Sequence, residues 1–90
     1  MGTAIVKIKI MPASPDTDLD AVRDAAKEII SKNTESDINV EVEPIAFGLK
    51  ALYLIFAIDE AKSIDQIEIP IKELADVNSA EVVDFRRALG

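Results

Sequence analysis

An α+β sandwich, with two helices on one face of a four-stranded antiparallel sheet, is the fold class this sequence predicts, and three observations carry it. Apolar residues change their period along the chain in the order strand, helix, strand, strand, helix, strand. One of those strands, Leu49 to Ile58, is apolar on both faces, which marks it as central, with its second face either covered or meeting a partner. The chain has 90 residues, which suits one domain spanning 1–90 and leaves no room for two.

The first strand is expected over Ala4–Met11, where Val6, Ile8 and Ile10 point one way and Ile5, Lys7 and Lys9 the other. Met11-Pro12-Ala13-Ser14-Pro15 ends it, because closely spaced prolines cannot donate to a ladder. Thr17 and Asp18 are good N-cap residues, and Asp18 and Asp20 suit the positive end of a helix dipole. Capping explains the acidic run Asp16, Asp18, Asp20 better than a metal cluster does. The helix follows over Leu19–Ser31, with Leu19, Val22, Ala26, Ile29 and Ile30 on one face and Asp20, Asp24, Lys27 and Glu28 facing water.

Lys32 to Asp37 is polar and turns the chain. In Ile38–Glu43, Ile38, Val40 and Val42 alternate with Asn39, Glu41 and Glu43, a strand with one wet face. Pro44-Ile45-Ala46-Phe47-Gly48 breaks it before the doubly apolar strand begins. Asp59 to Lys62 is again polar. Within Ser63–Val77, Ile64, Ile67, Ile71 and Leu74 have helical spacing, yet Pro70 sits among them, and interior proline costs a helix about 3 kcal/mol. A kinked or late-starting helix is expected, with Ile67-Glu68-Ile69-Pro70-Ile71 also alternating like a strand. The last strand is expected over Glu81–Arg87, with Val83 and Phe85 on the face opposite Val82 and Asp84.

The order βαββαβ in this length points to the ferredoxin-like sandwich, in which the first and third strands are central. That fold hosts many functions, so the residues must discriminate. The chain has no Cys and no His, which removes thiolate chemistry, a Ser-His-Asp triad and any Cys- or His-based metal site. No metal or cofactor is expected, and a protein that acts by contact fits better than an enzyme. With 17 acidic and 10 basic residues the net charge is −7, which disfavours nucleic acid and anionic membranes as direct partners and suits a basic protein. No stretch is long and apolar enough to span a bilayer, and Met1-Gly2-Thr3-Ala4 does not open a signal peptide, so a cytoplasmic protein is expected. Three glycines scattered along the chain cannot form a phosphate cradle, and Tyr53 and Phe56 fall on opposite faces, unlike a base-stacking platform.

Three blocks, in order along the chain, resemble the elongation factor 1-beta family. Glu43-Pro44-Ile45-Ala46-Phe47-Gly48-Leu49-Lys50-Ala51-Leu52 is similar to that family's signature of proline-isoleucine, a small residue, an aromatic and glycine, followed by a basic residue and leucine. Lys9-Ile10-Met11-Pro12 followed by Asp16-Thr17-Asp18-Leu19 resembles the end of its first strand and start of its first helix. Glu81-Val82-Val83-Asp84-Phe85-Arg86-Arg87 resembles the archaeal form of its last strand. The resemblance implies a guanine nucleotide exchange domain that binds GDP-loaded elongation factor 1-alpha and expels the nucleotide during translation elongation without covalent chemistry.

It also implies roles. Phe47 would enter an apolar pocket of the GTPase, with Pro44, Gly48 and Lys50 around it. Arg87, or Arg86, would reach toward the bound Mg²⁺. The family's eukaryotic members carry Lys near that position; Arg is a planar fork and not a compact point charge. Read from pattern alone, Phe47 fits better as a residue tucked under the sheet, Lys50 is equally a solvated strand charge, and Arg86 and Arg87 are ordinary solubilising charges. A second reading of the whole chain, a non-catalytic ferredoxin-like module that binds a ligand or dimerises through its open sheet face, rests on the doubly apolar third strand.

Overall fold

The computed structural model describes residues 2–88, so Met1, Leu89 and Gly90 of the expected domain lie outside it. Its elements are β1 (Thr3–Pro12), α1 (Leu19–Ser31), β2 (Asn39–Pro44), β3 (Lys50–Asp59), α2 (Asp65–Lys72) and β4 (Val77–Ala88). The strands make one antiparallel sheet in the order β2-β3-β1-β4, the ferredoxin-like arrangement with β1 and β3 in the middle.

The core follows from the alternation. Val6, Ile8 and Ile10 of β1 stand opposite Phe56, Leu54 and Leu52 of β3, so all six side chains share one face. They are buried with Val22, Ala26 and Ile30 of α1 and Ile67 and Ile71 of α2. Each such Leu, Ile or Phe contributes about 1.5–3 kcal/mol by leaving water, which is what fixes the register. The start of α1 is set by Asp18, whose Oδ1 accepts from the N–H of Asp20 at 3.0 Å and of Ala21 at 3.2 Å.

The stretch around Pro70 resolves as a helix. Ile64 accepts from the N–H of both Ile67 and Glu68 at 2.9 Å, and α2 closes just beyond the proline, where Glu73 donates to the carbonyls of Ile69 and Pro70. Helical spacing buries Ile67 and Ile71 and leaves Ile69 half exposed. A strand would have aligned all three isoleucines on one face, whereas the helix turns Ile69 away from the core.

Two expectations are corrected. The last strand starts at Val77, ahead of Glu81, because Val77 pairs with Pro12 across a register shift that carries β1 one residue into its prolines. The expected faces of that strand are also exchanged in part. A second shift between Lys7 and Ile8 sets Val82 opposite Ile8 and Asp84 opposite Lys7, with Val83 extra between them. Val82 and Phe85 therefore share the helix-covered face, opposite Ile8 and Val6, while Asp84 lies on the open face. On the second face of β3, expected to be covered or partnered, Ala51 is buried and Tyr53, Ile55 and Ala57 are half buried, while α1 and α2 bury their apolar residues against the other face.

Candidate functional site

The residues singled out by the sequence gather at two ends of the sheet. Along β1, Ile10 faces Leu52, two positions from Lys50, and Ile5 faces Arg86. At roughly 3.3 Å per residue, the Phe47 loop and the arginines are more than about 20 Å apart.

At the first end, Pro44 closes β2 opposite Lys50. The loop is pinned by the Ile45 N–H donating to the Leu49 carbonyl at 2.7 Å and the Leu49 N–H donating to the Ala46 carbonyl at 3.2 Å. The chain reverses here through a turn with two residues in the left-handed region, Phe47 at φ 61° and Gly48 at φ 79°. For a residue with a Cβ that conformation costs about 1–2 kcal/mol. Phe47 bears the cost while its ring is 94% exposed, so it gains nothing from packing within its own fold. Ile45 and Val42 are exposed on the same hairpin end. The packed alternative for Phe47 is excluded by this geometry. Exposed Lys50 and Gly48 border a shallow groove with Pro12, Pro15 and Asp18.

A methyl at Gly48 would meet Pro15 Cβ at 3.6 Å, an ordinary contact, so the cost of Gly48→Ala is conformational. We expect it to lower stability by about 1–2 kcal/mol, read as a fall in the denaturation midpoint. A midpoint unchanged would mean that residue 48 does not hold its left-handed conformation in solution.

At the other end the arginines diverge. Arg86 stands opposite Ile5 and borders the open-face groove with Lys7, Tyr53, Val83 and Asp84. Arg87 stands opposite buried Ala4, on the helix side. Each has an acidic neighbour that the sequence did not single out: Arg86 Nε is 3.0 Å from Asp84 Oδ2, and Arg87 Nε is 3.4 Å from Glu60 Oε2. Both guanidinium groups are largely exposed, so each pair is worth about 0–1 kcal/mol.

Between the ends, the open face carries an ordered polar group. Lys7 Nζ lies 3.4 Å from Glu41 Oε1 and 4.7 Å over the Tyr53 ring, and the Tyr53 hydroxyl donates to Glu43 Oε1 at 3.1 Å. Partial burial, then the bond to Glu43, then the charges of Glu43 and Glu41, push the Tyr53 phenol above its ordinary range. A raised value means the fold favours the protonated phenol. That contribution is complete below the unfolded value of about 10 and is lost as pH rises through the folded one. As Tyr53 is the one tyrosine in the chain, ultraviolet titration reads it directly. Glu43→Gln should lower the midpoint, and no movement would discount the bond.

The residues 5–88 match the model of the EF-1 guanine nucleotide exchange domain. The chain is 42% identical over 90 residues to elongation factor 1-beta of Methanobrevibacter smithii, covering 99% of this chain and all of the relative. It is 37% identical to that of Methanothermobacter thermautotrophicus, again over 99% of this chain and 100% of the relative. Elongation factor 1-beta of Methanocaldococcus jannaschii is 34% identical over 89 residues, 98% of this chain and 100% of the relative.

Proposed function

The chain belongs to the EF-1 guanine nucleotide exchange domain family, and from that premise we propose that it expels GDP from elongation factor 1-alpha by contact alone, gripping the GTPase through both ends of its sheet. It is a guanine nucleotide exchange factor of translation elongation. Residues 1–90 form one exchange domain, working in the cytoplasm with no cofactor of its own.

The observation that carries the proposed docking is Phe47, a large apolar ring held 94% exposed on a strained loop. Residues held in such sparsely populated backbone regions cluster at functional sites. An exposed aromatic on a rigid support is the sort of anchor that dominates an interface. Pro44 and Gly48 shape the loop, and Lys50 borders the contact. Arg87, or Arg86, approaches the phosphates and Mg²⁺ of the GTPase. The metal bridges phosphate oxygens to the protein, so a cation that competes with it there weakens the hold on GDP. The −7 charge of the chain complements a partner that binds tRNA and carries basic surface. Because the ends are more than about 20 Å apart, they touch separate regions of the GTPase, and docking at one end positions the other.

Adding the protein to elongation factor 1-alpha loaded with labelled GDP, with unlabelled nucleotide in excess, should accelerate release. A release rate unchanged at concentrations where the complex forms would instead favour a module that binds without promoting exchange.

A further inference from the structure

We propose that Glu60 is a positioning residue for Arg87: it holds the guanidinium at its Nε edge and leaves the terminal amines presented to the partner's anionic groups. The inference rests on the reading above that Arg87 acts in exchange. Three observations at one end of the sheet carry it. The Glu60 N–H donates to the Gly2 carbonyl at 3.0 Å, which ties the residue following β3 to the start of β1. The Glu60 carboxylate then lies against Gly2, where a methyl group would stand 2.7 Å from Cδ and 2.8 and 2.9 Å from the two oxygens. Glycine leaves the space that the carboxylate occupies. From that seat Glu60 Oε2 meets Arg87 Nε at 3.4 Å.

The two partners are unequal. The Glu60 side chain is 30% exposed and the Arg87 side chain 79%, so the acid is the seated member and the arginine the projecting one. Side-on contact at Nε leaves the end-on pair of amines for a phosphate or carboxylate, the arrangement in which arginine binds anions bidentately. A fork already oriented loses less freedom on capture than one that must be ordered from solution. Arg86 differs. Its acidic neighbour Asp84 sits on the same strand, so that pair fixes the arginine to its own segment, whereas Glu60 fixes Arg87 to a different one.

The test follows release of fluorescent GDP from elongation factor 1-alpha against the concentration of the exchange factor. Glu60→Gln should lower the maximal rate about two- to fivefold, the range of an exposed ion pair, with little change in the half-saturating concentration. Gly2→Ala should reproduce that defect with Glu60 intact, since its methyl displaces the carboxylate. In an Arg87→Ala background neither change should add anything, a result that a merely structural role for Glu60 does not give. If Arg87→Ala slows exchange and Glu60→Gln does not, the positioning role is overturned while the reading of Arg87 stands. The same holds if Glu60→Gln slows the Arg87→Ala protein as much as the wild type. If Arg87→Ala exchanges at the wild-type rate, the reading of Arg87 fails and the positioning role falls with it.

Discussion

Phe47→Ala should weaken the complex with elongation factor 1-alpha by about 30-fold or more, the loss of roughly 2–4 kcal/mol that follows removal of a buried aromatic anchor. The free protein should not notice. The ring is 94% exposed, so no internal contact is lost, and alanine keeps the left-handed penalty that Phe47 carries at φ 61°. Phe47→Gly removes that penalty as well. It should match Phe47→Ala in lost affinity yet hold or raise the stability, by up to about 1 kcal/mol after the extra entropy of the unfolded glycine is counted. Calorimetric titration against the GDP-bound GTPase measures the first effect and chemical denaturation the second. A fall in stability for both variants, with affinity unchanged, would return Phe47 to a structural role.

The strand order and the core were legible because β1, α1 and β3 have regular apolar periods with an unambiguous buried face. The Pro70 stretch was ambiguous because Ile67, Ile69 and Ile71 satisfy a strand pattern as well as Ile67 and Ile71 satisfy a helical one. The outcome, a helix with Ile67 and Ile71 in the core, is a matter of tertiary packing that the local pattern does not contain. The bulge at Val83 was hidden for a different reason. Nothing in Val82-Val83-Asp84 marks an extra residue, and the shift shows only against Lys7 and Ile8 of β1. Glu60 and Gly2 were out of reach altogether, since they meet only after β1 and β3 have paired. The residues proposed for the site stand out in the sequence as residue types and a loop; the acidic neighbours of the two arginines emerge only from the folded chain.

That register also sharpens the division of labour between the terminal arginines. Arg86 lies on the open face and Arg87 on the helix side, so the two do not present their forks to the same place. One of them should carry the exchange step. If docking rests on Phe47 at the far end, as proposed, Arg87→Ala should bind elongation factor 1-alpha with near-normal affinity but release GDP about tenfold more slowly or worse. A hydrogen bond to a charged group is worth about 1.5–3 kcal/mol, and this one is made only as nucleotide and metal loosen. Lowering free Mg²⁺ should bring the variant back toward the wild-type rate, since a residue that competes with the metal has less to do once the metal has gone. Arg86→Ala in the same assay should stay close to the wild type at every Mg²⁺ concentration. If the two variants exchange behaviours, the open face meets the nucleotide site, and Asp84 with Lys7 lies beside it. If neither is slowed at any Mg²⁺ concentration, competition with the metal by a terminal arginine is wrong. Release would then come from the distortion that docking imposes on the GTPase, with Phe47 as its source.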